Sequence, residues 1–475
     1  MSITANLKKT YYYCKKNGIV DTYYALRERL YARTSPLYMA GYDYVPVSEE
    51  ELQKQRETVF ENAIKFSILV PMYETKPEFA REMVDSVLAQ TYTNWELILA
   101  DASKTDLVKD VVSGADGSAS SMGNVYASDS RIRYVRIVEN KGISENTNEA
   151  LKYATGDYIG LLDHDDLLTP DALYEMALAI KTAGESSKTV AFAYSDEDKC
   201  DAEAKRYYEP HVKSGFNLDL LFSNNYICHF LVMKADLMKK TGFRKEYDGA
   251  QDFDLVLRAF LHKEPADEIL HVNKVLYHWR CHESSTAANP QSKLYAYEAG
   301  KRAVEDFVAQ RGWKVTVEHL KHLGFYRVCY EDGRDAIFKE RPEVGALGGS
   351  LLGAQNRIVG GLRTADGTIV YEGLRSGFSG YMNRATLVQQ AEVLDIRCMR
   401  VNPACQGILE QCLQEFGVTK VQYLSGELEQ HLQAQDITKL SITLSKSLKK
   451  AGYVLVWDPW WQLWGMEHVN WLKKK

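Results

Sequence analysis

Glycine-rich phosphate fingerprints are missing from this sequence: neither GxGxxG nor GxxxxGK followed by Ser or Thr occurs. That argues against a dinucleotide fold of the classical type and against a P-loop. The eight cysteines, at 14, 200, 228, 281, 329, 398, 405 and 412, form no CxxC pair and no metal-ligand spacing. A reducing compartment without a zinc site follows. There is no run of about eighteen apolar residues and no basic start leading into an apolar h-region. The chain is therefore expected in the cytoplasm, at most lying on the inner face of the membrane. Charge of one sign is not in excess either; a net −6 with 26% charged residues gives no basis for a nucleic-acid binder.

What is present begins with length: 475 residues allow two or three domains with real cores. Thirty tyrosines and eight tryptophans suit ring-stacking surfaces such as sugar sites or interfaces, with core packing as the plainer account. The most telling stretch is GDYIGLLDHDDLLTP over Gly156–Pro170. An apolar run ends abruptly in Asp163, His164, Asp165 and Asp166, and Thr169-Pro170 opens a helical pattern. Three acids in four residues at a strand end repel one another unless a cation or a set of donors is present. The cluster reads either as a solvated turn capping the next helix or as a site for a hard divalent ion, Mg²⁺ or Mn²⁺. Its position at the carboxyl end of an apolar strand favours the ion.

Residues 1–34 carry seven basic side chains against Asp21 and Glu28, interleaved with tyrosines. The segment reads either as a helix that lies on anionic lipid or as an ordinary helix packed on the rest of the chain. From Phe66 strands alternate with helices: Phe66–Val70, Trp95–Ala100, Ile132–Val138, Tyr158–Leu162 and Thr189–Tyr194 read as strands, Lys76–Gln90, Glu145–Ala154 and Pro170–Thr182 as helices. The rhythm predicts a parallel sheet covered on both faces, with ligands beyond the carboxyl ends of the strands. Between Ser103 and Arg131 the sequence is Gly/Ser-rich and reads as an excursion. Asp252 begins the helical run Phe253–His262, where N-capping and chemistry are both open. His278, beside Trp279 and Arg280 at the end of the short strand Val275–Tyr277, reads as a core histidine or as a metal or phosphate contact.

In this order the blocks FSILVPMYE (66–74), WELILADAS (95–103), NKGISENTNEAL (140–151), GDYIGLLDHDD (156–166), YSDEDK (194–199), NNYICHFLV (224–232), YDGAQDFDLVLR (247–258) and LYHWRCHESSTA (276–287) resemble the family-two glycosyltransferases. The resemblance implies a GT-A fold, a mostly parallel sheet flanked by helices and Rossmann-like in its nucleotide-sugar half, over residues 65–335. A helical segment, 1–64, would precede it and an α/β accessory domain, 341–475, would follow. It implies that Pro71, Tyr73, Glu74, Asp101, Lys141, Asn148, Asp163, His164, Asp165 and Arg280 contact the nucleotide sugar. Asp165, Asp163 and His278 would hold Mn²⁺ or Mg²⁺. Asp252 matches the catalytic base; the family's preceding Glu is Gln251 here. The implied activity is inverting transfer from a uridine diphosphate hexose, or a thymidine diphosphate rhamnose, to a glycan or lipid-linked acceptor in bacterial surface polysaccharide synthesis. Peripheral membrane contact through 1–34 and homo-oligomers are the further partners expected, with no nucleic acid. The alternative is a catalytically inactive glycan-binding or scaffold protein of a polysaccharide assembly complex.

The later sequence, EVGALGGSLLGAQNRIVGGL (343–362) and AGYVLVWDPWWQLWGMEH (451–468), resembles half of a second, degenerate copy. Aligned with the first, it carries Ser441 and Thr443 where the first has Asp252 and Asp254. Its tryptophans, 457, 460, 461 and 464, offer area to a glycan or partner, or fill a core.

Overall fold

The computed structural model describes residues 3–39, 41–117, 126–282, 294–426 and 428–464. The excursion after Ser103 thus lies partly outside the described residues (118–125), as do the turn after His282 (283–293) and the tail 465–475.

The first unit is built on a nine-stranded sheet: β1 (Phe66–Met72), β2 (Trp95–Asp101), β3 (Ile132–Arg136), β4 (Tyr158–Leu161), β5 (Leu167–Leu168), β6 (Val190–Asp201), β7 (Tyr207–His211), β8 (Leu231–Lys234) and β9 (Glu268–Cys281). Their order is β3-β2-β1-β4-β8-β6-β9-β5, with β7 on β6. Pairing is parallel from β3 through β4. It turns mixed at β8, which runs antiparallel to both β4 and β6, and returns to parallel between β6 and β9. β1 is buried along nearly its whole length, which is why it reads as a continuous apolar run and not an alternating one. Helix Pro77–Leu88 starts with proline at its first turn and buries Phe79, Ala80, Met83, Val84 and Val87 on one face. Two apolar cores result, one on each side of the sheet.

β10 (Val315–His319) and β11 (Tyr326–Tyr330) form a hairpin that leads to a second sheet. Its strands are β12 (Val344–Leu352), β13 (Ile358–Gly360), β15 (Gln389–Gln390), β17 (Met399–Val401) and β18 (Val454–Trp464), with β14 (Leu362–Arg363) and β16 (Val393–Leu394) paired beside it. β12 pairs parallel with β18 and antiparallel with β17 and β13. Helix Ala434–Lys450 precedes β18 and packs Ile437, Leu440, Leu444 and Leu448 inward. Ser441 is buried there too, accepting from Ile396 N at 3.1 Å. The tryptophans divide: Trp457 and Trp461 enter the core, while Trp460 and Trp464 stay exposed.

Several contacts join the units, among them Asn217 Nδ2 donating to Gln390 O at 3.0 Å. Arg341 and Asp219, both buried, form a two-pronged ion pair. The amino-terminal helix, Ile3–Ala32, breaks at Gly18 (φ +83°) and lays its second half on the carboxyl-terminal unit. Glu28 there accepts from Ser379 N at 2.6 Å and from Tyr38 Oη at 2.6 Å, and Arg375 lies over the Tyr24 ring at 4.8 Å. Among the described residues no helix is long and apolar enough to cross a membrane.

Candidate active site

The acidic turn after β4 is held from across the sheet. Antiparallel pairing of β5 with β9 sets Leu167 opposite His278, so Arg280 falls level with the turn. Its backbone N donates to Asp166 Oδ1 at 2.7 Å and its Nε to the Asp165 carbonyl at 2.6 Å. Tyr277 Oη donates to the other Asp166 oxygen at 2.5 Å. The buried Arg280 guanidinium also lies over the Phe79 ring at 4.7 Å and pairs with Glu82 at 2.5 Å. Asp166 is thus the anchor of the turn, and Asp163 is turned outward with its side chain 50% exposed.

His229 comes to Asp163 from the segment before β8. Its ring stacks on Tyr277 at 4.5 Å, Nδ1 lies 3.0 Å from Glu197 Oε2, and Nε2 lies 3.8 Å from Asp163 Oδ2. A carboxylate on Nδ1 makes that nitrogen the donor and aims Nε2 at the acidic turn. Ligand atoms of Asp163, Asp166 and His229 all lie within 4.8 Å of one another. Although half-exposed to the cavity, Asp163 is partly desolvated by the protein around it, and this, with Asp165 next to it, pushes its carboxyl above its ordinary value despite the opposing pull of His229. Asp166 is pushed up further by burial and by Asp165 and Asp163. Two carboxyls and an imidazole so crowded that the acids resist ionising are a donor set suited to a hard divalent cation.

Beneath His229 sits a buried charged group. Lys213 Nζ donates to Ile227 O at 2.6 Å and to His229 O, and lies 3.5 Å from Glu197. Burial works against ionised Glu197, but Lys213, His211 and His229 outweigh it and hold the carboxyl well below the usual range. This network fixes the backbone of 227–229, and so the position of the imidazole. The same segment reaches Asp252: Asn225 Nδ2 donates to Asp252 Oδ2 at 2.7 Å, with Cys228 Sγ at 3.3 Å. Asp252 lies in the first turn of helix Gln251–His262, where the helix dipole favours its charge. Asp254 in the same turn is buried and bound by Arg244 and Arg258, a structural role.

Pro71, Asp163, His229 and Asp252 line one cavity of about 1110 Å³. Tyr42 reaches across it to donate to Asp198 Oδ2 at 2.7 Å, and Tyr381 from the carboxyl-terminal unit donates to Pro210 O at 2.5 Å.

The remaining residues singled out from the sequence are distributed as follows. Tyr73 is exposed beyond β1. Glu74 (φ +49°) accepts from Lys104 N at 2.7 Å and from Thr105, bonds that lower its pKa. Asp101 is buried, accepting from Ser103 and from Tyr134 Oη at 2.8 Å. Lys141 is exposed, 3.6 Å from Glu139. Asn148 is taken up at both ends by the Phe243 backbone, at 2.8 and 2.9 Å. His164 Nδ1 is buried without a hydrogen-bond partner among the described residues. His278 is bound through Nδ1 to Asp198 at 2.5 Å, between the rings of Tyr44 and Tyr207. The imidazole that meets Asp165 is that of His282, at 2.7 Å.

Residue-level reasoning missed Glu197, Lys213, Asn225, His229 and His282. Four of these sit in the quoted blocks YSDEDK, NNYICHFLV and LYHWRCHESSTA, which was the available signal; Lys213 gave none.

A profile of glycosyl transferase family 2 matches residues 67–245. The putative colanic acid biosynthesis glycosyl transferase WcaA of Escherichia coli strain K12 is 30% identical over 220 residues, covering 44% of this chain and 72% of that protein. The chain belongs to glycosyl transferase family 2. The family match spans the acidic turn, Glu197 and His229, and ends before Asp252 and the β9 residues. Two further, longer relatives are protein y4gI of Sinorhizobium fredii, 40% identical over 53% of this chain, and the O-antigen biosynthesis protein RfbC of Myxococcus xanthus, 32% identical over 58%. The chain spans 26% and 21% of their lengths.

Proposed function

We propose that the chain is an inverting, metal-dependent glycosyltransferase. It would move a sugar from a nucleoside diphosphate donor, a uridine diphosphate hexose before a thymidine diphosphate rhamnose, to a glycan or lipid-linked acceptor in bacterial surface polysaccharide synthesis. The observation that carries the reading is the trio Asp163, Asp166 and His229, with ligand atoms within 4.8 Å, sharing a cavity with a separate carboxylate, Asp252. Relatives named for O-antigen and colanic acid biosynthesis support the setting.

Asp163 and His229, with Asp166 behind them and Asp165 beside them, would hold Mn²⁺ or Mg²⁺. The ion would supply Lewis-acid and electrostatic relief for the charge of the leaving diphosphate. Asp252 takes the acceptor hydroxyl proton as that oxygen attacks the anomeric carbon. A single displacement of this kind inverts the anomeric configuration. Glu197 and Lys213 hold His229 in place, and Arg280 holds the acidic turn. Tyr42 and Tyr381 narrow the mouth of the cavity and limit water, which would otherwise compete as the nucleophile.

The same reading makes residues 341–475 a degenerate, catalytically silent second copy. Supporting it, β12 pairs antiparallel with β17 and parallel with β18, as β6 does with β8 and β9. In both units a helix leads into the parallel partner, Gln251–His262 and Ala434–Lys450.

Calorimetric titration with uridine and thymidine diphosphates, with and without Mn²⁺, tests the proposal. We expect metal-dependent binding of one nucleotide per chain, lost in Asp163→Asn. Failure of every nucleotide to bind would overturn the transferase reading, and two nucleotides per chain would overturn the silent second copy.

A further inference from the structure

A second cavity, of about 920 Å³, lies where the amino-terminal helix covers the carboxyl-terminal unit. Residues near the carboxyl ends of β12 and β18 form its floor, which is where open α/β sheets place ligands. Tyr38 and Met382 line both this cavity and the one holding Asp163 and Asp252, so the two spaces adjoin.

We propose that this second cavity binds sugar units of the acceptor glycan, away from the transfer centre; the inference rests on the transferase reading above. Trp460 lines the cavity with 42% of its surface exposed. Its Nε1 donates to Thr386 O at 3.0 Å, which fixes the plane of the ring. A fixed, half-open indole offers the C–H face of a pyranose a flat apolar partner at low entropic cost. Around it are the side chains of Arg29, Ser376 and Asn383, none with a hydrogen-bond partner among the described residues. They can serve the hydroxyl groups at the rim of a sugar ring. A few convergent polar groups in a largely apolar hollow is the usual composition of a small-molecule site.

The chemistry speaks against a second donor site that holds its diphosphate through a metal ion. The acidic residues of the lining are Asp21 and Glu28, and both are committed: Asp21 pairs with Lys321 at 2.8 Å, and Glu28 accepts from Tyr38, Ser379 and Gly380. No carboxylate is left to hold a cation for a diphosphate. A neutral, many-hydroxyl ligand meets neither repulsion nor an unpaired buried charge. Because the cavities meet at Tyr38 and Met382, a glycan seated on Trp460 can lead its growing end toward Asp252.

The test is equilibrium binding of the full chain to an array of oligosaccharides cut from bacterial O-antigens and capsules. The variants are Trp460→Ala, Trp460→Phe, Ser376→Trp and Asp163→Asn. Spots bound by the wild type should weaken by at least about tenfold in Trp460→Ala and survive in Trp460→Phe and Asp163→Asn. Ser376→Trp fills the cavity from one wall without breaking a hydrogen bond within the described chain, and should weaken the same spots even where Trp460→Ala folds poorly. Spots lost in Asp163→Asn but kept in Trp460→Ala and Ser376→Trp would put the glycan in the donor cavity and overturn the proposal. So would a wild-type chain that binds nucleotide with Mn²⁺ but no oligosaccharide. A chain that binds oligosaccharide through Trp460 but no nucleotide would instead overturn the transferase reading and leave the glycan site standing.

Discussion

Asp252→Asn separates chemistry from binding at this site, and its expected size follows from the contacts. The substitution keeps the shape of the side chain, and its remaining oxygen can still accept from Asn225 Nδ2, now at 2.7 Å. Changing that bond from charge-assisted to neutral costs about 1 kcal/mol, and losing a carboxylate from the first turn of helix Gln251–His262 about 0.3–1 kcal/mol more. Stability should therefore fall by no more than about 2 kcal/mol. Loss of a general base costs roughly 10²–10⁴ in turnover, or about 2.7–5.5 kcal/mol in the barrier. Nucleotide binding should hold or tighten slightly, because Asp252 is among the charges that raise the Asp163 carboxyl above its ordinary value. The assay pairs turnover of the nucleotide sugar chosen by titration with nucleotide Kd and thermal unfolding of the same preparation. A fall in turnover under about tenfold would refute the role of Asp252. A Kd that weakens as much as turnover falls would show that it serves binding instead.

Two further outcomes follow. Desolvation and neighbouring acids hold Asp163, and still more the buried Asp166, above the usual 3.8, so in the folded chain they keep their protons above that value, and a cation must displace protons to bind there. Mn²⁺ affinity, and the rise in Tm it brings, should still be growing as pH rises above the ordinary carboxylate range; an affinity that levels off at the ordinary carboxylate value would speak against these carboxyls as ligands. On the amino-terminal helix, Ile19, Tyr23, Leu26 and Leu30 form an exposed stripe at helical spacing, 78%, 55%, 43% and 65% exposed, flanked by Arg27 and Arg33. We propose that this face lies on anionic lipid. Co-sedimentation with vesicles containing phosphatidylserine should drop by about tenfold or more in Ile19→Glu/Leu30→Glu, and equal sedimentation of the two proteins would remove the idea.

Local signals and assembled ones differed in how legible they were. β2 and β4 are apolar runs closed by Asp101 and, just beyond, Asp163, so strand and strand-end residue show in the same few positions, while β1, expected to stop at Val70, runs on through Pro71 to Met72. The acidic turn is local in the same sense. β9 is the counter-example: the expected Val275–Tyr277 became Glu268–Cys281, because EILHVNK carries polar residues that disguise a strand, and pairing along β6 supplies what local preference lacks. His229, Glu197 and Lys213 come from three separate segments, and each is ordinary where it stands. Their meaning appears when β8 and β6 pair and stack the three in depth. His278, Arg280 and His282 share one face of the chain by the period of two. Which of them meets the acidic turn depends on where β5 stops against β9, a tertiary register no local pattern records.

The cavity reaches across the expected limits at 65 and 335, and so does the packing: Leu387 joins the core of the first sheet and Tyr38 packs on that of the second. Tyr42 and Met39 enter from the segment ahead of the first sheet, Tyr381 and Met382 from the far unit, and all four line the space in front of Asp163 and Asp252. Tyr381 is held there at both ends of its hydroxyl, donating to Pro210 O and accepting from Val212 N at 2.8 Å. A sheet that presents its ligand at the strand ends is open on that side by construction. For transfer to an acceptor hydroxyl to outrun hydrolysis, something outside the sheet has to cover it. Here the cover comes from the two flanking segments, tied to each other where Tyr38 meets Glu28 and Gly380. That junction is also where the second cavity begins, so the same contact that narrows the transfer centre provides the threshold between it and Trp460.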